Sequence, residues 1–224
     1  MNSWQNFGVV KTTENQFKKI SLMKAPKFLG AILLWMGVML ISQVSLAQKT
    51  ATGTNVNWSS ASSWTPSGVP AATDAVTIPN GVTVTVDVTN AVCASVAINI
   101  NSGNGTGTLQ FNSGSILTCS GAVTLGGTGQ KVGNLTMTNG GTLKFSGSSS
   151  LVSGAGTFTP GTGTIEYSGS AQTVSARAYN NLAFSGSGAK TIASGTSVTR
   201  LLSISGTATA SISAGLNISV DSLQ

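Results

Sequence analysis

The chain has 224 residues, 40% hydrophobic, 6% aromatic and 7% charged, with 28 Gly, two Cys, no His and a formal net charge of +6. Without imidazole there is no Ser-His-Asp or Cys-His relay and no His-ligated metal, and the five carboxylates, Glu14, Asp74, Asp87, Glu166 and Asp221, leave most acid–base chemistries unstaffed. Ample hydrophobicity with little charge is the reverse of the disordered signature, so a folded, nearly uncharged domain is expected.

Residues 28–41 form an unbroken apolar run, preceded by Lys24 and Lys27 and followed by Ser45-Leu46-Ala47. A positive flank, a short apolar stretch and a small-residue cleavage site predict a secretory signal peptide over 1–47, cut after Ala47. Met23 is an alternative start, and a retained anchor is the rival reading, although the run is shorter than the ~20 residues that span a bilayer. Lys11, Lys18, Lys19, Lys24 and Lys27 against Glu14 supply most of the net charge. Lys49, Lys131, Lys144, Arg177, Lys190 and Arg200 lie scattered along the remainder, so no basic track for nucleic acid is formed.

Residues 48–90 read as an N-terminal cap and first coil. This stretch holds Trp58 and Trp64 together with Pro66, Pro70 and Pro79. Two Trp would close the open end of a stacked fold, whereas exposed Trp would offer a platform to a sugar ring, so the pair is a candidate cap or carbohydrate contact. Cys93 and Cys119 follow, each among apolar neighbours. An exported chain permits a disulfide between them, and burial as small core residues is the alternative. Two thiols with no further ligand nearby do not make a metal site, and no cofactor is implied.

From Gln48 onward nearly half of all residues are Ser, Thr or Gly, a composition that disfavours helices. Apolar residues instead alternate: Val82, Val84 and Val86; Val96, Ile98 and Ile100; Leu109 and Phe111; Leu135 and Met137; Leu143 and Phe145; Ile165 and Tyr167; Leu182 and Phe184; Leu216, Ile218 and Val220. A period of two places these on one face of short strands, punctuated by Gly, Asn and Ser. Gly107-Thr108-Leu109-Gln110-Phe111 recurs as Gly141-Thr142-Leu143-Lys144-Phe145 and, after a shorter interval, as Gly163-Thr164-Ile165-Glu166-Tyr167. Asn134-Leu135-Thr136-Met137-Thr138 reappears as Asn181-Leu182-Ala183-Phe184-Ser185.

One such unit buries too little apolar surface to offset the ordering of about twenty residues at ~1–2 kcal/mol each, so the units must stack. The prediction is an all-β, right-handed parallel β-helix or β-solenoid, its first coil within 48–90 and the rest over 91–224, with roughly 20 residues per coil and about eight coils from Gln48 onward. A Greek-key β-sandwich is the alternative.

Asn57-Trp58, Ser63-Trp64, Gly68-Val69-Pro70, Asp74-Ala75-Val76-Thr77-Ile78-Pro79 and Gly81 through Asp87 resemble the opening of large exported surface proteins of Bacteroidota, similar in part to eight-glycine domains. Tyr179-Asn180-Asn181-Leu182-Ala183-Phe184-Ser185-Gly186 with Lys190-Thr191-Ile192 resembles their repeated coil units. The resemblance implies an adhesin-like β-solenoid sent to the outer cell surface by the type IX route, with a surface polysaccharide or another cell-surface protein as partner. Residues 220–224 end within a strand-like stretch, which reads as a truncated or uncapped last coil open to end-to-end self-association.

The function expected is therefore a secreted or cell-surface structural or adhesive module without catalysis. A polysaccharide lyase or glycosidase is the first alternative, but it needs acids gathered on one bond. Asp74 and Asp87 are spaced to stack on adjacent coils or to cap turns, and Glu166 points outward near Lys144 as a solvated ion pair. An ice- or crystal-surface binder is the second, on the Thr-x-Thr pairs at 83/85, 106/108, 136/138, 157/159, 162/164 and 207/209, whose irregular spacing argues against it.

Overall fold

The computed structural model describes residues 47–148, 150–212 and 222–223. The leader, the alternation Leu216-Ile218-Val220 and most of the last coil lie outside the described residues. No helix among the described residues is long and apolar enough to cross a membrane.

Strands follow one another coil by coil. The first coil carries β1 (Gln48–Ala51) and β2 (Asn55–Asn57), then a single 3-10 turn (Ala61–Ser63) and β3 (Trp64–Thr65). The second carries β4 (Ala75–Ile78), β5 (Thr83–Val86) and β6 (Ala91–Cys93), and the third β7 (Ser95–Ile98), β8 (Gly105–Phe111) and β9 (Ile116–Cys119). Then come β10 (Val123–Leu125), β11 (Lys131–Thr136) and β12 (Thr142–Phe145), followed by β13 (Leu151–Ser153), β14 (Phe158–Thr159) and β15 (Thr164–Tyr167). Among the described residues the remaining coils carry β16 (Gln172–Val174) with β17 (Ala178–Phe184), β18 (Ser187–Ile192) with β19 (Ser197–Ile204), and β20 (Thr207–Ile212) with β21 (Ser222–Leu223).

Four sheets run along the stack. Sheet A is β13-β10-β7-β4-β1-β3, sheet B is β14-β11-β8-β5-β2, sheet C is β21-β19-β17-β15-β12-β9-β6, and sheet D is β16-β18-β20. Every pairing among the described residues is parallel except β1 with β3. This is a parallel β-solenoid, and the β-sandwich alternative, which needs facing antiparallel sheets, is excluded.

Among the described residues sheet C carries seven strands, one in each coil after the first, so the stack makes about seven turns. Its register advances from Leu117 to Leu143 to Ile165 to Leu182 to Leu202, so the coil shortens over the first three of these steps and lengthens slightly over the fourth. The shortest step, from Ile165 to Leu182, coincides with the change from three strands per coil to two, where sheet D replaces sheets A and B.

In-register stacking turns the period-two alternation into axial columns of like side chains. In sheet C one inward column is Ala91, Leu117, Leu143, Ile165, Leu182 and Leu202, and the next is Cys93, Cys119, Phe145, Tyr167, Phe184 and Ile204. Phe145 stacks on Tyr167 with ring centroids 5.5 Å apart, and Phe184 meets Tyr167 edge-on at 6.3 Å. Sheet B contributes Val84, Leu109 and Leu135, and sheet A contributes Val76, Val96 and Val123; all are buried.

The longer of the two intervals in the Gly-Thr repeat is not a coil period. Residues 107–111 lie in β8 of sheet B, whereas their two relatives lie in β12 and β15 of sheet C; only the shorter interval, Leu143 over Ile165, is a true turn of the solenoid. The copies at 134–138 and 181–185 likewise fall on sheets B and C. Each sheet asks the same thing of its strand, an inward apolar residue at every second place after a turn, so the motif recurs wherever a strand begins rather than once per coil.

Candidate functional site: the outer face of sheet B

The acids come first, because an enzyme would need them together. Asp74 and Asp87 do not stack on adjacent coils; they belong to the same coil, one just before β4 and the other just after β5. Asp74 accepts the Ala71 amide at 2.9 Å and is buried in that turn. Asp87 accepts the Ser59 amide at 3.0 Å and the Ser59 hydroxyl at 2.6 Å, tying the loop after β2 to the second coil. Glu166 accepts from Lys144 at 2.8 Å and from the Ser185 hydroxyl at 2.5 Å on the outer face of sheet C. That ion pair follows from register, since Lys144 and Glu166 are directly opposed on β12 and β15. Among the described residues no three His, Cys, Asp or Glu side chains gather as metal ligands would.

Trp58 and Trp64 are 0% and 2% exposed, meeting edge-on with centroids 5.1 Å apart, and the Trp64 indole N–H donates to the Trp58 carbonyl at 3.0 Å. Buried rings present no face to a sugar, so the carbohydrate-platform half of the expectation is corrected: the pair sits inside the first coil. Beside it, β3 pairs antiparallel with β1 and occupies that edge of sheet A, while Lys49 donates to the Pro66 and Ser67 carbonyls at 2.9 and 3.2 Å. Cys93 and Cys119 are buried free thiols whose sulfurs lie 3.1 Å apart.

Outward, sheet B assembles what the sequence scatters. The pairings of β2, β5, β8 and β11 align Asn55, Thr83, Thr108 and Asn134 in one column, and Asn57, Thr85, Gln110 and Thr136 in the next. Thr159 extends the second column through its pairing with Thr136, and Thr157 extends the first, its hydroxyl donating to Asn134 Oδ1 at 2.7 Å. Successive members are separated by a whole coil of sequence, at uneven intervals, yet in-register strands set them ~4.8 Å apart along the axis, with ~6.6 Å between columns. Turns of different length absorb the irregularity.

The ten side chains include no charge and no aromatic ring. They are part-buried against their neighbours or exposed. Gln110 donates to the Thr85 hydroxyl at 2.8 Å, and the Thr136 and Thr138 hydroxyls share a hydrogen bond of 2.8 Å. These bonds hold several of the rotamers before any partner arrives, which lowers the ordering cost of binding. Of the remaining Thr-x-Thr pairs, Thr164 lies on sheet C and Thr207 with Thr209 on sheet D.

A second polar feature went unseen in the sequence because it lies inside. Lys190 is 0% exposed, and its ammonium donates to the carbonyls of Gly169 at 2.5 Å, Ser170 at 2.6 Å and Ser187 at 2.9 Å; burial draws it below the ordinary lysine range. Gln172, its register partner, donates to the carbonyls of Phe145 and Gly147 and accepts the Gly169 amide. The two side chains pin the turn carbonyls where the solenoid narrows. Nearby, Tyr179 donates to the Ser175 carbonyl at 2.7 Å, and the Ser175 amide donates to the Tyr167 oxygen at 3.2 Å. Burial, foremost, and then Tyr167 push the Tyr179 phenol well above the ordinary tyrosine range. The inward residues at 172 and 190 sit at strand positions that alternate normally, so only their polarity at a core position signals them.

Comparison with family models, with curated proteins and with solved structures finds no match. What defines the molecule is its own architecture: a parallel β-solenoid with one uncharged polar ladder on the outside and a carbonyl-capping polar pair within.

Proposed function

We propose that this protein is an exported, cell-surface structural or adhesive module that acts without catalysis, and that the outer face of sheet B is its contact surface. The observation that carries the reading is the double column of Thr, Asn and Gln, ten positions in total, uncharged and in register over five coils. Such a face offers many weak, evenly spaced hydrogen bonds, and affinity then comes from repetition rather than from one deep pocket. Its neutrality suits an uncharged surface polysaccharide or a neutral patch of another surface protein, since a charged partner would be desolvated without compensation. The signal-like leader and the resemblance to Bacteroidota surface proteins support export. The lack of catalysis is supported by the three acids among the described residues, two of which are spent on backbone amides and the third on Lys144.

The test is the pair of substitutions Gln110→Arg and Thr136→Arg in the full chain. Outward, part-exposed positions tolerate such changes within about 0.5 kcal/mol. The unfolding midpoint is therefore expected to hold while retention on insoluble neutral polysaccharide or on cells falls at least tenfold. Retention equal to wild type with both arginines in place would end the assignment of this face.

A second reading is favoured by the same register. The objection to a lattice binder is the uneven spacing of the Thr pairs, and stacking lessens it, because Thr83, Thr108 and Thr157 share one column and Thr85, Thr136 and Thr159 the other, where outward polar groups, Asn and Gln among them, repeat at the ~4.8 Å strand spacing. Thermal hysteresis that vanishes in the double arginine variant, without any polysaccharide retention in the wild type, would favour ice over an adhesive partner.

A further inference from the structure

The two cysteines lie one coil apart in sequence and are directly opposed in space. The pairing of β6 with β9 aligns Ala91 with Leu117, Val92 with Thr118 and Cys93 with Cys119. Both thiols point into the core and are 1% and 0% exposed. In-register residues of neighbouring parallel strands stand ~4.8 Å apart, inside the ~4.4–6.8 Å between Cα atoms that a disulfide accepts. With the sulfurs 3.1 Å apart, closing to a bond of ~2.05 Å needs a movement of about 1 Å, within reach of side-chain rotation.

Other uses of the pair are poorly served. The next member of the column is Phe145, and no third ligand of the His, Cys, Asp or Glu type completes a metal site among the described residues. A redox sensor or nucleophile needs an accessible thiolate. Here the hydrogen bond with Cys119, burial, and the electrostatic influence of Cys119 and Asp74 all raise the Cys93 thiol. In the folded chain both sulfurs are therefore out of reach, and Cys93 is held in the unreactive thiol form.

We propose that Cys93 and Cys119 are joined by a disulfide when the chain folds in an oxidising compartment, stapling the second coil to the third, and that the bond is made before these coils close. This inference stands independently of the adhesive reading. The chemistry is thiol–disulfide exchange with a small-molecule or protein disulfide as oxidant. One cysteine thiolate attacks a sulfur of the oxidant, forming a mixed disulfide and releasing one thiolate; the second cysteine thiolate then displaces the other. Two thiols become one disulfide, and the two electrons and two protons leave on the reduced oxidant. Because both sulfurs are covered once β6 and β9 stack, the exchange belongs to the open chain, and afterwards the same burial protects the bond from reductant.

The test uses the full chain, unfolded with reductant in guanidinium chloride and refolded in two ways, with glutathione and its disulfide or with dithiothreitol. Refolding with glutathione disulfide is expected to give a monomer lighter by two hydrogens, no thiol alkylated by iodoacetamide after denaturation, and a peptide linking Cys93 to Cys119. Its unfolding midpoint is expected to lie several degrees above that of the dithiothreitol sample, a difference absent from the variant carrying Cys93→Ala and Cys119→Ala. Protein folded first under dithiothreitol, then moved into glutathione disulfide, is expected to keep both thiols for at least tenfold longer than the refolding chain does. Two free thiols or glutathione adducts on a folded monomer in the first arm would overturn the staple. Equally fast oxidation of the prefolded protein would overturn the order of events. If the alanine variant fails to fold, the mass and peptide map of the wild type still decide.

Discussion

Removing the ammonium of Lys190 while keeping its stem, by Lys190→Met, isolates the worth of the three-carbonyl cage. The structure sets opposing terms. Three hydrogen bonds from a charged donor contribute ~1.5–3 kcal/mol each, whereas taking an ammonium out of water costs several kcal/mol. Methionine abolishes both, but it leaves the Ser170 and Ser187 carbonyls with one partner fewer beneath a fully covered side chain, at ~1–3 kcal/mol per stranded group. The Gly169 carbonyl retains a backbone donor, the Ser187 amide at 3.4 Å. The net expected loss is about 3 kcal/mol. Lys190→Ala adds the cavity of roughly three methylenes at ~0.8 kcal/mol each and should lose about 2 kcal/mol more. For a domain of this size a loss of ~3 kcal/mol corresponds to a fall of ~6–12 °C in Tm. Urea unfolding followed by circular dichroism, with the slope checked against wild type, measures both losses. A methionine variant within ~1 kcal/mol of wild type would mean instead that the cage merely offsets the desolvation of its own charge.

Other expectations follow from the core. Phe145→Ala empties a fully buried site between Cys119 and Tyr167 and should cost about 3–5 kcal/mol, readable as a lower urea midpoint. In the reduced protein the contribution of Cys93 and Tyr179 to stability should be level up to about pH 9 and decline above it, against an opposite rise up to about pH 10.5 from Lys190, which burial draws below the ordinary lysine range. The unfolded chain releases the Cys93 proton near 9.0 and the Tyr179 proton near 10.0, whereas the folded chain retains both, so the unfolded state binds fewer protons and gains as pH rises. Each group contributes a slope of at most ~1.4 kcal/mol per pH unit, and Tyr179→Phe should flatten the decline above about pH 10. Midpoints measured from neutral to strongly alkaline pH check this, and in the disulfide-bonded protein the decline should begin about a unit later.

Much of this molecule was legible one residue at a time. Alternation such as Val82-Val84-Val86 or Leu143-Phe145 marks strands because a pleated chain turns every second side chain inward, whatever lies beside it. The Ser, Thr and Gly content excludes helices for equally local reasons. The need to stack follows from arithmetic on a single unit, since two or three apolar side chains cannot order about twenty residues. The Lys144–Glu166 pair was within reach too, because both sit at the same place in copies of one motif that are true neighbours.

Register, by contrast, belongs to the tertiary structure. Phe111 and Phe145 share a motif yet stand on different sheets, and Asp74 and Asp87 share a coil rather than a stack. Thr, Asn and Gln residues at irregular sequence intervals become a ladder on sheet B, and Lys190 finds three carbonyls at a position where the pattern alone promises an aliphatic residue. The physical reason is common to all four. A strand's inward and outward faces are dictated by neighbours one or two residues away, but which strand lies above which depends on the lengths of the turns between them, and those lengths vary without disturbing the local alternation. Composition and alternation therefore determined that this chain winds into stacked β-coils. Only the winding itself decided which residues meet.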